Sequence, residues 1–199
     1  MVYIVGIGPG SRAYILPKAV EILENCDIIL GFERALSSLD FLNIEKKAVF
    51  ALNEILGFIN ENPDKNISIA ASGDPCFYGI TGFIKRNYDK KIEVVPGLSS
   101  FQYLCAKLGM PWQGSYVGSL HGREDRFLGR AREYALSIWL TDKDNSPSSL
   151  CSRLYDEGMD ALVYVGENLS YSDERIVEGR PEDLKDMMFS DLCVVIIKI

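Results

Sequence analysis

A chain of 199 residues with 47% apolar, 11% aromatic and 25% charged side chains buries a full core and is neither a disordered tail nor a disulfide-stapled miniprotein. Its 21 basic and 28 acidic residues leave a net charge of −7, which argues against a surface built to neutralise nucleic-acid phosphates and favours a small-molecule or protein partner. No apolar run approaches the roughly 18–20 residues that span a bilayer. The start Met1-Val2-Tyr3-Ile4-Val5-Gly6 lacks a basic region and cleavage site, so a cytoplasmic protein without membrane contact is expected.

Taken in chain order, Val2 to Val5 predicts a buried strand that stops at the tight loop Gly6-Ile7-Gly8-Pro9-Gly10. Pro17 suits the first turn of a helix running through Asn25, with Ala19, Val20, Ile22 and Leu23 as its apolar face. Asp27 to Gly31 reads as a strand covered on both faces. The same beat repeats: strand Ala48 to Phe50, helix Asn53 to Asn62 capped by Asn53, strand Ile67 to Ala71, helix Cys76 to Asn87, strand Ile92 to Val95, and helix Ser99 to Leu108 ended by Gly109. Strands alternating with helices predict an α/β unit with an open, mainly parallel sheet and helices on both faces.

Pro and Gly in Met110 to Ser115 break the rhythm, so two domains are expected, 1–110 and 111–199. Beyond the joint, strands are predicted at Tyr116 to Leu120, Leu136 to Leu140, Ala161 to Val165, Arg175 to Val177 and Cys193 to Ile199. Only two helices intervene, Glu124 to Tyr134 and Pro147 to Glu157, so hairpin-connected antiparallel strands and a mixed sheet are expected there. Cys26, Cys76, Cys105, Cys151 and Cys193 form no CxxC or CxH pair. Most of them read as small core residues, with no protein-bound metal expected.

Three loops end strands of the first sheet, on the edge where open α/β sheets bind ligands. In the first, Gly6, Gly8 and Gly10 allow close backbone approach ahead of a helix N-terminus. The dinucleotide pattern fails there, because Ser11 stands at the third glycine and no acid ends the second strand. In the second, Ser72-Gly73-Asp74-Pro75 offers a carboxylate that serves either a ligand or the cap of the next helix. The third, Val95-Pro96-Gly97-Leu98-Ser99-Ser100, ends in two hydroxyls.

These three segments, with Leu16-Pro17-Lys18-Ala19-Val20-Glu21-Ile22-Leu23 leading to Cys26-Asp27-Ile28-Ile29, resemble the tetrapyrrole methylases in order and spacing over nearly the whole chain. Ser11 stands where that family usually has Asp, and Pro17 where Thr is common. Gly31-Phe32-Glu33-Arg34, Ser119-Leu120-His121-Gly122-Arg123, Leu140-Thr141-Asp142 with Ser146-Pro147, Gly166-Glu167-Asn168-Leu169 and Asp173-Glu174-Arg175 are similar to the branch that methylates carbon 5 of a late precorrin (precorrin-6Y or cobalt-precorrin-7) in cobalamin synthesis.

The resemblance implies a two-domain methylase fold with S-adenosylmethionine bound in the inter-domain cleft, and a homodimer. The cofactor contacts it implies are Gly8, Pro9, Ser72, Gly73, Asp74, Phe77, Ser99, Ser100, Leu140, Asn168 and Leu169. Positioning and desolvation suffice for much of a methyl transfer from a sulfonium, so no nucleophile or metal is expected, while His121 and Asp142 are the candidates for proton transfer. For the carboxylate-rich tetrapyrrole, Arg123 and Arg126 are the candidate ligands, in a stretch where Arg130 and Arg132 also stand against Glu124 and Asp125. Some members of the family carry a fused, decarboxylating carbon-15 methyltransferase, for which 199 residues leave no space, so a separate protein is expected to supply it. Two other readings use the same glycine loops: another superfamily enzyme such as diphthine synthase, and a nucleotide-binding regulatory module without turnover. The segments around His121 and Asn168 favour the corrinoid.

Overall fold

The computed structural model describes residues 1–199 with the exception of Glu124, on which one end of an expected helix and one of the expected acids fall. The chain divides into two compact units, Met1–Ser99 and Ser100–Ile199. This division differs from a joint at Met110, because helix α5 (Ser100–Lys107) packs on strands of the second sheet.

The first unit holds β1 (Val2–Gly6), α1 (Pro17–Glu24), β2 (Ile28–Gly31), α2 (Glu33–Ser37), β3 (Lys46–Ala48), α3 (Leu52–Glu61), β4 (Ile67–Ala71), α4 (Thr81–Asn87) and β5 (Ile92–Val95). Its five strands run parallel in the order β3-β2-β4-β1-β5. Side-chain alternation along the strands decides which helices cover which face. Val5, Ile29 and Ala70 pack with Ala19 and Leu23 of α1 and Leu36 of α2. Ile4, Ile28, Leu30, Ile67 and Ile69 pack on the opposite face with Ile55 and Ile59 of α3 and Ile84 of α4. The expected double-sided parallel sheet is therefore present, and the neighbouring strands β1 and β4 send their helices to opposite faces.

Three local expectations are corrected. Asn53 does not cap α3: Ala51 occupies that position without a side-chain bond, and Glu54 instead accepts the Phe50 N–H at 3.2 Å. The helix expected from Cys76 begins only at Thr81, because Tyr78 takes a left-handed φ of 51° and interrupts the turn. The weak strand lies at Lys46–Ala48, leaving Phe50 84% exposed beyond its end.

The second unit contains β6 (Tyr116–Ser119), α6 (Phe127–Glu133), β7 (Leu136–Leu140), α7 (Pro147–Asp156), β8 (Leu162–Glu167), β9 (Arg175–Gly179), α8 (Pro181–Leu184) and β10 (Cys193–Lys198), in addition to α5. The sheet order is β6-β7-β10-β8-β9. It is mixed, as expected, but its connections are not mainly hairpins. β6 and β7 pair in parallel with α6 in the connection, and β10 inserts antiparallel between β7 and β8, leaving β8–β9 as the hairpin. One face, carrying Trp139, Val163, Val165, Val195 and Ile197, is buried under Phe127 of α6, Leu150 and Leu154 of α7 and Leu184 of α8. Cys26, Cys105, Cys151 and Cys193 are buried as small core residues, whereas Cys76 is exposed. No helix among the described residues is long and apolar enough to cross a membrane.

Leu154 is fully buried between α7 and the second sheet. Leu154→Ala is therefore expected to lower unfolding stability by about 2–5 kcal/mol through lost burial and a residual cavity, measured as a shift in the urea midpoint at unchanged slope.

Candidate functional site

The loops after β1, β4 and β5 converge at the carboxyl edge of the first sheet. The Gly8 N–H donates to the Gly73 carbonyl at 3.3 Å and the Gly73 N–H returns a bond to the Gly8 carbonyl at 2.7 Å, a short antiparallel bridge beyond the parallel strands. Gly97 lies against both. A Cβ added there would stand 2.1 Å from the Gly73 carbonyl oxygen and 2.9 Å from the Gly6 backbone. Gly73 itself sits at φ +67°, and the nearest atom to a Cβ on it would be Ser99 Cα at 3.8 Å, an ordinary van der Waals contact.

Asp74 ties the second and third loops. Its Oδ1 accepts the N–H groups of Cys76 (2.7 Å) and Phe77 (3.2 Å), and its Oδ2 accepts the Gly97 N–H at 3.3 Å. The capping alternative thus takes a modified form: Asp74 caps the turn 75–77, not the helix that starts later. Ser72 is exposed, Pro9 and Phe77 are half-buried, and Ser99 is buried. The Phe77 ring stands edge-on to Tyr78 with centroids 4.9 Å apart. Gly8, Pro9, Ser72, Gly73, Asp74, Phe77 and Ser99 therefore all lie in or beside one cluster of loops. Ser100 begins α5 in the second unit.

In the second unit two loops at the ends of β6 and β7 are bound to each other. The Gly122 N–H donates to Asp142 Oδ2 at 2.8 Å, while Asp142 Oδ1 accepts the N–H groups of Asp144 (3.1 Å) and Asn145 (2.7 Å) and the Asn145 side-chain amide (3.3 Å). The Gly122 bond foremost, then the Asn145 bonds and the charge of His121, hold the Asp142 carboxyl below its ordinary value against the opposing effect of burial. A carboxylate so well supplied with donors is a weak proton acceptor and a strong loop anchor. Beside it, His121 Nδ1 lies 3.2 Å from the Thr141 carbonyl. A carbonyl partner requires Nδ1 to carry the hydrogen, which leaves the lone pair on Nε2 of the neutral ring.

The arginines divide. Arg130 pairs with Glu133 at 2.8 Å and lies over the Tyr116 ring, 4.9 Å from its centroid, and Arg132 pairs with Glu157. Arg123 and Arg126 are exposed, with Arg123 Nε 3.4 Å from the His121 carbonyl. Leu140 is half-buried at the end of β7, and Leu169 is buried against Gly166. Asn168 has a left-handed φ of 44°, its amide donating to Asp173 at 2.8 Å and its oxygen accepting from Ser190 at 3.4 Å. Sequence reasoning passed over Thr141 and Asn145, whose backbone and amide set the His121–Asp142 pair. Their only sequence signal was membership of the segment Leu140-Thr141-Asp142 and its sequel.

A doubly covered parallel sheet with converging glycine loops, joined in one chain to a mixed sheet whose loops carry histidine and carboxylate, is a two-unit α/β architecture of the kind that methylases use. Residues 1–185 match the family of tetrapyrrole (corrin/porphyrin) methylases, and the chain belongs to that family. A probable cobalt-precorrin-7 C(5)-methyltransferase from Methanocaldococcus jannaschii is 34% identical over 209 aligned positions, covering 98% of this chain and 97% of that protein. The cobalt-precorrin-7 C(5)-methyltransferase of Salmonella typhimurium is 33% identical over 179 positions, 88% of this chain and 89% of its own length. The fold is also that of the uroporphyrin-III C-methyltransferase of Thermus thermophilus solved with S-adenosylhomocysteine, with a TM-score of 0.77, 22% identity, and coverage of 99% and 96% of the two chains.

Two outcomes follow from this geometry. Gly97→Ala, whose new methyl meets backbone that has nowhere to move, is expected to cost about 2–3 kcal/mol, more than the roughly 1–2 kcal/mol for Gly73→Ala, where only the backbone angle objects; paired urea titrations rank them. Because the Asp142 carboxyl is held low, its stabilising effect is complete above the ordinary aspartate value of 3.8 and is lost as pH falls through the lowered one. The stability gap between the native chain and Asp142→Asn is therefore expected to be widest at neutral pH and to narrow below 3.8; a gap that widened on acidification would contradict this.

Proposed function

We propose that the chain is an S-adenosylmethionine-dependent methyltransferase that methylates carbon 5 of a late cobalt-precorrin. The observation that carries the reading is the loop cluster of the first unit, closed through backbone bonds between Gly8 and Gly73 and from Gly97 to Asp74, together with one-third identity to two C(5)-methyltransferases along most of the chain. The residues fit the donor's chemistry. Within the first unit, backbone groups around Gly8 and Gly73, with the hydroxyls of Ser72 and Ser99, suit a ribose and the charged ends of a methionine, and Pro9 and Phe77 offer apolar surface to an adenine; Ser100, Leu140, Asn168 and Leu169 of the second unit are assigned to the same donor by likeness to the family alone.

When bound, the donor supplies an electrophilic methyl group on a sulfonium. The chain's task is to hold that methyl in line with a nucleophilic ring carbon and to keep water away. Asp74 contributes by fixing the loop that carries Ser72 and Gly73, since its carboxylate is already spent on three backbone N–H groups. A ring carbon that gains a methyl group and then restores conjugation gives up a proton, and His121 Nε2 is the group assigned to take it, with Asp142 holding the histidine loop. Arg123 and Arg126 are assigned to acetate or propionate carboxylates of the ring.

Calorimetry and mass spectrometry test the reading together. S-adenosylmethionine and S-adenosylhomocysteine are expected to bind while NAD and ATP do not, and an isotopically labelled methyl group is expected to appear on cobalt-precorrin-7. Asp74→Arg should abolish donor binding by opening the loop, whereas His121→Ala should bind the donor normally and transfer the label at least about a hundredfold more slowly. Binding of NAD or ATP with no response to the sulfonium donor would reject the proposal.

A further inference from the structure

The β8–β9 hairpin turn contains two residues other than glycine in the left-handed region, Asn168 at φ 44° and Ser170 at φ 72°. Such backbone persists only where the surroundings over-determine it. Three carboxylates do so here. Asp173 accepts from the Asn168 amide at 2.8 Å, and Glu167, buried beside Arg175, accepts the Ser190 N–H at 2.6 Å. Glu174 differs from the other two because it reaches another element. Its Oε2 accepts the Ser170 N–H at 2.6 Å, its Oε1 lies 3.1 Å from Lys107 Nζ, and it also takes a hydrogen bond from the Tyr103 hydroxyl. Tyr103 and Lys107 both belong to α5, and Tyr103 is buried. Apolar packing follows the same line: Leu104 of α5 and Leu169 of the turn meet over Gly166, where an added Cβ would stand 2.9 Å and 2.7 Å from them.

We infer that Glu174 is a positioning residue for the methyl donor, because it ties α5, the helix that Ser100 begins, through Tyr103 and Lys107 to the turn that carries Asn168 and Leu169. The inference rests on the proposed function, which assigns those three residues to the donor. Glu174 and Tyr103 are not themselves suited to proton transfer. Burial and the Glu174 bond push the tyrosine up to about 12. Burial works to raise the Glu174 carboxyl, but hydrogen bonds from Tyr103, the Ser170 backbone and Lys107 outweigh it and keep the carboxyl low. Their joint effect is geometric: the bonds hold two donor-facing segments at one spacing before the donor arrives.

The test compares S-adenosylhomocysteine affinity by calorimetry, KM for the donor, kcat at saturating donor, and the thermal midpoint. Glu174→Ala is expected to weaken affinity and raise donor KM about tenfold, the equivalent of one charge-assisted hydrogen bond, with kcat at saturation nearly kept. Glu174→Gln retains an oxygen that can accept from Ser170 and Tyr103, and is expected to recover most of that loss. Tyr103→Phe removes a single hydroxyl from the network and is expected to give a smaller shift of the same kind, so it decides the matter if Glu174→Ala does not fold. Leu154→Ala, on the far side of the second sheet's core, serves as the stability control and is expected to lower the midpoint with donor affinity unchanged. Native affinity in Glu174→Ala, or a loss no greater than in the Leu154→Ala control, overturns the inference while leaving the donor reading in place. A native chain that binds no S-adenosylhomocysteine overturns both.

Discussion

The candidate site depends on a contact between backbones. At the carboxyl edge of the first sheet, Gly97 sits so close to the Gly73 carbonyl and to Gly6 that even a methyl group has no room. The paired bonds between Gly8 and Gly73 and the reach of Asp74 to the Gly97 N–H close the same three loops into one piece. Loops that pack through their main chains lose side-chain bulk but gain a fixed arrangement of peptide groups, which is what a polar small molecule needs from a binding edge. The strand order makes the contact available. β1 and β4 are neighbours in the sheet, yet their chains depart to opposite faces, the kind of switch point at which open α/β sheets bind ligands.

The second unit uses side-chain carboxylates where the first uses glycine. Asp142, Glu167, Asp173 and Glu174 are each taken up by hydrogen bonds from loop backbone, amide, tyrosine, lysine or arginine groups. A chain of net charge −7 thus commits part of its acidity to internal loop anchoring, and its overall sign says little about the charge presented to a ligand. The same accounting applies to the arginines, since Arg130 and Arg132 are held by Glu133 and Glu157. Arg123 and Arg126, nearer the His121 loop, are the pair the proposed function uses.

Much of this was legible before the structure. Periodicity marked β1, α1, β2, β4, β5 and the second-unit strands, and the apolar run Ile28-Ile29-Leu30 announced a strand covered on both sides, as the two separate cores confirm. The errors have local causes. Asn53 is a good capping residue by type, but the chain turned into the helix two residues earlier and used Glu54 for the Phe50 N–H. The sequence pattern starts the helix after Asp74 too early because Asp74 does cap a turn, and only the left-handed backbone at Tyr78 reveals that the turn does not propagate.

By itself, the amino-acid sequence determined the strands and the longer helices in their order, though not the short helices α2 and α8, the presence of glycine at the close-approach positions, and the family, because each of these is written in residue type and spacing. Tertiary structure alone decided that Gly97 serves the packing of the loops, that Asp74 and Asp142 spend their charge on backbone N–H groups, that β10 from the end of the chain fills the centre of the second sheet, and that Tyr103, Lys107 and Glu174 meet. The physical reason is separation along the chain. Partners 23 residues apart, as Asp74 and Gly97 are, leave no periodic trace in sequence, and their meeting is set by which strands pair and which faces the helices cover.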